Sequence, residues 1–592
     1  MEKKKSVIGK AVDISILRRI FKYIKPYRTN FGMAVFTTIT LAGIAILRPL
    51  LVKYTFDHYV ETPNAEMLLT MTLLMGGVLF LEAILQFSDA FLTNTLGQKI
   101  IKDLRVQIYK HIIGFRLKYY DNTPIGMLVT RAISDIEVIA DIFSEGLIVI
   151  IGDILKVIVI ILIMFIINPE LTFIVLLPIP VLLVSTYVFK KAVANSFHEV
   201  RTQVARLNSF LQEHITGMRI VQIFNRESAE MKAFEAINAK HRDANVRSIK
   251  AYSIFFPIVE ILSSVALALL VWWGGKGVLR NYTSLGDLMA FIMFLNMMFR
   301  PIRQLADRFN TLQMGMVSSE RVFKILDTVD VIENKGKKSA DHIKGGVFFK
   351  NVWFAYNNEE WVLRNVSFDV KEGQTIALVG ATGAGKSSII NLLSRFYEYN
   401  KGEIIIDGTE IRDYELSSLQ KNIGVVLQDV FLFSDSIFNN ITLRNPAITR
   451  EQVLEAAKVV GADDFISKLP GGYDYDVMER GAMLSVGQRQ LIAFIRAYVY
   501  NAKILVLDEA TSSIDTESEK MIQYGIDRLT RGRTSIVIAH RLATIQKADK
   551  IIVLEKGEVI EAGNHQELLK NNGHYKRLFE LQFKEENKGV SL

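Results

Sequence analysis

Apolar and polar positions divide this chain near residue 305. Before that point long apolar runs alternate with polar stretches of helical period. After it, short apolar runs of strand length alternate with helical patterns, as in a globular α/β domain. A membrane-crossing helix needs about 20 mostly apolar residues. Six stretches meet that need: 31–52, 67–88, 139–167, 171–189, 251–273 and 285–304. The last is the weakest, because Asp287, Asn296 and Arg300 interrupt it. No short apolar core with a small-residue cleavage site precedes the first, which therefore reads as a retained span. Residues 14–25 place Ile14, Leu17, Phe21 and Ile24 on one helical face, with Arg18, Arg19, Lys22 and Lys25 largely off it. That pattern predicts a helix lying in the inner membrane interface.

Composition changes the picture in two ways. At 592 residues the chain is too long for one core, so at least two domains are expected. It has no cysteine, which excludes disulfides, thiolate zinc sites and a cysteine nucleophile. The net charge of +8 would suit nucleic acid, but its distribution follows membrane topology instead. Lys and Arg crowd the segment before the first span, from Lys3 to Arg28. They also crowd the long connections between spans two and three (Lys99 to Arg131) and between spans four and five (Lys190 to Arg226). The opposite loops, 57–66, 168–170 and 274–284, are short and poor in positive charge. Hence the N-terminus, both long connections and the C-terminal domain are predicted to be cytoplasmic, in a multi-pass protein of the cell (inner) membrane, with no nucleic-acid partner. Both connections read as spans continued below the bilayer, with breaks at Tyr120–Gly126 and near Gly217. Such tips could touch the C-terminal domain.

The chemistry lies in the second half. A strand, Thr375–Val379, runs into Gly380-Ala381-Thr382-Gly383-Ala384-Gly385-Lys386-Ser387-Ser388 and then an apolar-periodic helix. This is the context of a phosphate-binding P-loop. Its glycines let backbone N–H groups close around phosphates, and the helix start adds positive potential. Lys386 would reach the β/γ-phosphates of ATP, and Ser387 would ligate Mg²⁺. A second buried strand ends in Asp508-Glu509. Asp508 is placed to hold the metal, and Glu509 to polarise an attacking water. A third strand ends at His540, which alone would pass for a surface histidine. A second phosphate-suited loop, Leu484 to Gln490, offers Ser485 and Gly487 to an anion.

The order P-loop, Gln428, L-S-V-G-Q, I-L-V-L-D-E, S-S-I-D at 512–515 and His540 resembles the nucleotide-binding domain of ABC transporters. The apolar half looks like the exporter-type membrane domain, and D-V-M-E-R-G at 476–481 supports that subtype. The resemblance implies a multidomain chain, an all-α six-helix transmembrane domain plus an α/β P-loop ATPase domain. The expected divisions are an amphipathic segment 1–28, a membrane domain 29–326, a linker 327–344, an ATPase domain 345–582 and a tail 583–592. It implies that Tyr356 stacks on adenine, that Gln428 reaches Mg²⁺, and that His540 contacts the γ-phosphate. It further implies that Asp515 lies at a dimer seam and Glu479 near the membrane domain's loops. The signature residues Ser485, Gly487 and Gln488 would cover the ATP held by a second chain's P-loop, so one chain cannot build a complete site.

Two positions depart from the family pattern. Met478 stands where glycine is usual, and Val486 replaces the first glycine of L-S-G-G-Q. A β-branched residue suits positive φ poorly, so Val486 is expected to have an ordinary backbone. With Glu509 present, a homodimer is expected, a distinct half-transporter being the alternative partner. Within the spans Glu82, Asp153, Lys156 and Glu260 are candidates for a substrate path. Asp153 and Lys156 could equally neutralise each other on one helix, and Arg48 and Arg300 could snorkel. The resulting expectation is ATP-driven export of a lipid, lipid-linked or amphipathic drug-like substrate. An ATP-gated channel and a peptide exporter with its own leader peptidase are disfavoured, the latter for want of a cysteine nucleophile.

Overall fold

The computed structural model describes residues 14–60, 64–332, 334, 336–357, 360–508, 516–539 and 541–583. The chain forms two units: Met1–Gly114 with Thr123–Val329, and Phe115–Asn122 with Asp330–Leu592.

The first unit is helical. In chain order its elements are α1 (Ile14–Lys22), α2 (Arg28–Thr55) and α3 (Ala65–Ile112), then, past the segment that carries α4 (Leu117–Asp121), α5 (Ile125–Ala132), α6 (Ser134–Asp141) and α7 (Leu147–Ile167). There follow α8 (Pro169–Leu176), α9 (Ile179–Thr216), α10 (Met218–Ile223), α11 (Glu227–Leu279) and α12 (Leu285–Asp327). Five helical runs are long and apolar enough to cross a membrane: Lys25–Val60, Ala65–Ile112, Ile125–Ile167, Pro169–Thr216 and Glu227–Leu279. The sixth predicted span, 285–304, falls short of that measure among the described residues. It forms the first half of α12, where Ala290, Phe291, Phe294, Leu295, Met298 and Phe299 are buried against the neighbouring helices. A helix shielded by protein rather than lipid tolerates polar residues, which explains its weaker apolar signal.

The long connections are indeed helices carried past the bilayer. At 1.5 Å per residue the 53 residues of α11 extend roughly 80 Å, far beyond a hydrocarbon core of about 30 Å. The predicted breaks also appear: α4 ends at Asp121 and α5 begins at Ile125, while Gly217 separates α9 from α10. Amphipathic α1 forms as expected; of the predicted stripe Ile24, just past its end, is buried while Ile14 is exposed, and Ile20 beside the stripe is buried too. Arg19 turns to α12, bonding both carboxylate oxygens of Asp327 at 2.6 Å and lying 4.2 Å from the Phe323 ring centroid.

In the second unit two sheets share a core. The antiparallel sheet has order β2-β1-β4-β5, from β1 (Val347–Ala355), β2 (Trp361–Val370), β4 (Lys401–Ile406) and β5 (Thr409–Glu410). The larger sheet has order β10-β9-β3-β8-β7-β6. Its strands are β3 (Thr375–Val379), β6 (Ile423–Val426), β7 (Ile504–Asp508), β8 (Thr534–Ile538), β9 (Lys550–Glu555) and β10 (Glu558–Gly563). All pairs in it are parallel except β9–β10. Its inner parallel strands β3, β7, β8 and β9 are buried on both faces, as a parallel sheet requires. Ile376, Leu378, Val506 and Ile536 face the antiparallel sheet, while Ala377, Val379, Leu505 and Val537 face the helices.

Candidate functional site

The P-loop leaves β3 between β9 and β8 and enters the helix Lys386–Leu393. Parallel strands open a crevice at their carboxyl ends, where ligands of such sheets bind. Two glycines are required by geometry. A Cβ at Gly380 would lie 2.2 Å from the Leu554 carbonyl oxygen, and Gly385 has φ +100° with Leu363 only 2.6 Å from where its Cβ would stand. Ala381, Thr382, Gly383 and Ser387 are exposed around the loop, whereas Ala384, Gly385, Lys386 and Ser388 are buried.

Lys386 is 7 % exposed, and its Nζ donates to the carbonyls of Gly380 at 2.7 Å and Ala381 at 3.0 Å. Burial pushes its ammonium pKa down, and nearby Asp508 partly offsets that. Asp508 is pushed up by burial, against the opposing influence of Lys386 and the Ser387 hydroxyl; Asp429 adds to the rise. The geometry therefore joins Lys386, Ser387 and Asp508 in one cluster, two strands apart in the sheet. Among the described residues no group of three or more His, Asp or Glu could hold a metal alone. One hydroxyl and one carboxylate fit an ion that keeps waters and takes its other ligands from phosphate, as Mg²⁺ does. Val426 pairs with Leu507, so Gln428 and Asp508 leave adjacent strands at the same edge, with Gln428 exposed.

Tyr356 lies beside this loop. Its hydroxyl is hydrogen-bonded to Ser388 Oγ at 3.1 Å and accepts from Asn391 Nδ2 at 3.0 Å. Sequence reasoning missed its other neighbours. The Phe115–Asn122 segment belongs to this unit, and there Lys118 Nζ donates to the Tyr356 carbonyl at 2.9 Å and Asp121 accepts the Tyr397 hydroxyl. Together with Asn122, Asn357 and Asn391 they line a cavity of about 310 Å³. The break at Tyr120–Gly126 was the only signal that this stretch did something special.

The signature stretch is a helix start. Ser485 caps the helix Val486–Val499 in a reciprocal box with Gln488, and Gly487 is buried in the first turn. Val486 is the first helical residue and its φ is not positive, as expected for a β-branched side chain. Met478, by contrast, has φ 58° and ψ −173°, a conformation favouring glycine. Glu509, Asp515 and His540 lie outside the described residues.

Apolar helices joined to a doubly layered P-loop unit define a membrane-embedded ATPase. Residues 31–302 match the family described as ABC transporter transmembrane region, and residues 363–512 match ABC transporter. The chain is 37 % identical over 582 residues to the "Uncharacterized ABC transporter ATP-binding protein YknV" of Bacillus subtilis (strain 168), covering 98 % of this chain and 96 % of the relative. It is 34 % identical to the "ATP-dependent lipid A-core flippase" of Syntrophus aciditrophicus (strain SB), over 98 % and 96 %. It is 36 % identical to the "Probable multidrug resistance ABC transporter ATP-binding/permease protein YheH" of Bacillus subtilis (strain 168), over 88 % and 78 %. The chain belongs to the ABC transporter family. It is an exporter-type half-transporter of the membrane, binding ATP and coupling its hydrolysis to transport.

Proposed function

We propose that two copies of this chain form two composite ATP sites and drive a lipid or amphipathic substrate from the cytoplasm or inner leaflet outward. The observation that carries this reading is the exposed, capped start of the helix Val486–Val499. Its N-terminal N–H groups and dipole make an anion site on the surface of a unit that already owns a P-loop. A triphosphate cradled at Lys386 and Ser387 of one copy and covered by Ser485 and Gly487 of the other joins the two. Mg²⁺, held by Ser387 and Asp508 with Gln428 at the same edge, would neutralise phosphate charge. Glu509 would polarise water, with His540 at the γ-phosphate and Asp515 at the seam. Hydrolysis then removes the charge that held the copies together. The basic connections support ATPase units on the cytoplasmic, ATP-supplied side. The lipid A-core flippase among the relatives supports a lipid cargo, and the multidrug resistance protein an amphipathic drug.

The test is ATP-dependent translocation of a labelled phospholipid in proteoliposomes holding only this chain, with Glu509→Gln as control. Flux lost in the control supports the reading. Absence of flux alongside Glu509-dependent ATPase activity removes the lipid cargo, and absence of turnover removes the homodimer.

A further inference from the structure

The second long connection ends in a tip with little packing of its own. α10 has six residues, none of them buried, and Ile220, Ile223 and the following Phe224 are all strongly exposed. A segment with so few buried contacts sits at the low-stability end of a fold unless side chains at its margins hold it. One side chain does so here. His214, in the last turn of α9, stacks on Phe210 of its own helix with ring centroids 3.8 Å apart. Its Nδ1 lies 2.8 Å from the Phe210 carbonyl oxygen, and its Nε2 lies 2.8 Å from Glu230 Oε2 in the first turn of α11. The ring thus bridges the helix that enters the tip and the helix that leaves it.

Both partners of the ring are acceptors. A neutral imidazole has one N–H and can serve one of them, whereas the imidazolium has two and serves both. The full bridge therefore holds a proton that leaves as pH rises, in the range where histidine alone among ordinary side chains titrates. Higher on the same hairpin, Arg247 Nε donates to Glu199 Oε2 at 3.0 Å, a pair that stays charged throughout that range. The charged groups around the ring are Glu230 and Glu227 on α11 and Glu213 on α9, while Arg219 on α10 and Arg226 after it are exposed. From residue 189, the end of the fourth predicted span, α9 runs unbroken for roughly 38 Å to His214 at 1.5 Å per residue. The ring is thus far from the apolar stretch and within reach of aqueous protons.

We propose that His214 is a proton-operated clasp on this tip: charged, it ties α9 to α11 and fixes α10, and neutral, it releases one partner so that the tip loosens. The inference rests on the exporter reading and adds a control to it, since a tip that relays the ATPase cycle to the spans works only when held. Order at the tip is full below about 6.5, the ordinary histidine value, and is lost as pH rises through the titration of the clasp. Transport therefore weakens as cytoplasmic pH rises, the proton acting on the relay and not on the ATP site.

Amide hydrogen exchange on the full chain in detergent micelles, read by mass spectrometry at about pH 6 and about pH 8 and corrected for the intrinsic pH dependence of exchange, tests the clasp. Peptides spanning 215–226 should exchange about fivefold faster at the higher pH, the scale of one partly exposed ion pair. Glu230→Ala should exchange fast at both values. His214→Arg, which keeps the charge and can stack on Phe210, should exchange slowly at both. Equal exchange at the two values in the unaltered chain, or a pH dependence that survives in Glu230→Ala or His214→Arg, overturns the proposal. In proteoliposomes with the ATPase units outward, the same rise in external pH should cut ATP-driven phospholipid flux about threefold more in the unaltered chain than in His214→Arg. Equal flux profiles overturn the control over transport. Flux absent from both chains at every pH defeats the lipid-transport reading instead, and the exchange result stands apart from it.

Discussion

The backbone N–H of Gln488 donates to Ser485 Oγ at 3.2 Å, and the N–H of Ser485 donates to Gln488 Oε1 at 2.9 Å. This reciprocal pair fixes the start of the signature helix and leaves Val486, the first of the two residues between them, with helical backbone. The glycine usual at that position is therefore not needed for shape here. Val486→Gly should leave steady-state ATPase activity within about threefold and cost no more than about 1 kcal/mol of stability, the backbone-entropy penalty of glycine. ATPase assays and thermal melting check it; a tenfold change in turnover would mean that the side chain acts in the reaction.

Ser485→Ala removes the cap along with the hydroxyl proposed to cover the partner copy's phosphate. A lost cap costs about 1 kcal/mol. Ser485→Thr, which can still cap, should retain stability in melting experiments while Ser485→Ala loses it. Equal melting of the two variants contradicts the capping role.

Met478 is the opposite case, a non-glycine residue held at φ 58°, with its N–H bonded to Asp476 Oδ1 at 2.8 Å. Holding such a conformation costs on the order of 1–3 kcal/mol. Because the side chain is 53 % exposed, little packing is lost on removing it. Met478→Gly should raise the melting temperature of the ATPase unit, net of the entropy glycine adds to the unfolded chain. A fall would show that the side chain contributes more than the strain costs.

His565 ties pH to stability. Burial lowers its pKa, and its Nδ1 lies 2.6 Å from the Tyr575 hydroxyl, itself pushed up to about 12 by burial. The folded form holds His565 neutral while the unfolded chain takes up a proton near its ordinary value of about 6.5. Unfolded chains thus bind more protons, so stability rises with pH and falls as pH drops from about 7 towards 5.5. His565→Gln should flatten that acid slope in melting curves; an unchanged slope assigns it to other groups.

Within the second unit, Lys118 donates to the Tyr356 carbonyl. A hydrogen bond to a charged group is worth about 1.5–3 kcal/mol at most. Lys118→Ala should raise the KM for ATP by about tenfold while kcat changes less, if Tyr356 faces the adenine. A kcat loss at constant KM would place Lys118 in the chemical step instead.

Legibility followed how local each cause is. The P-loop announced itself because strand, glycines, lysine and helix are contiguous from Thr375 to Leu393. The spans were equally plain, apart from α12, whose burial by neighbouring helices cannot be seen along one chain. Pairings between distant residues were the hidden part. Nothing near Lys118 points to Tyr356, 238 positions away, nor does Asp153 point to Arg308. Arg48 read as a snorkelling residue because proximity to a span end is visible in sequence, whereas Glu82 facing it is not. Val486 was legible through sterics alone, since a β-branched side chain forbids the conformation that glycine allows.

The claim that one chain supplies only half of each ATP site has a direct measurement. Lys386→Ala disables a P-loop and Ser485→Arg disables a signature helix, so each variant alone should have no ATPase activity. When the two are co-expressed and the mixed dimer is purified by two tags, one site should pair an intact P-loop with an intact signature, and ATPase activity should return in that fraction. A mixed dimer as inactive as its parents, or a Ser485→Arg chain that hydrolyses ATP as a monomer, would contradict the account.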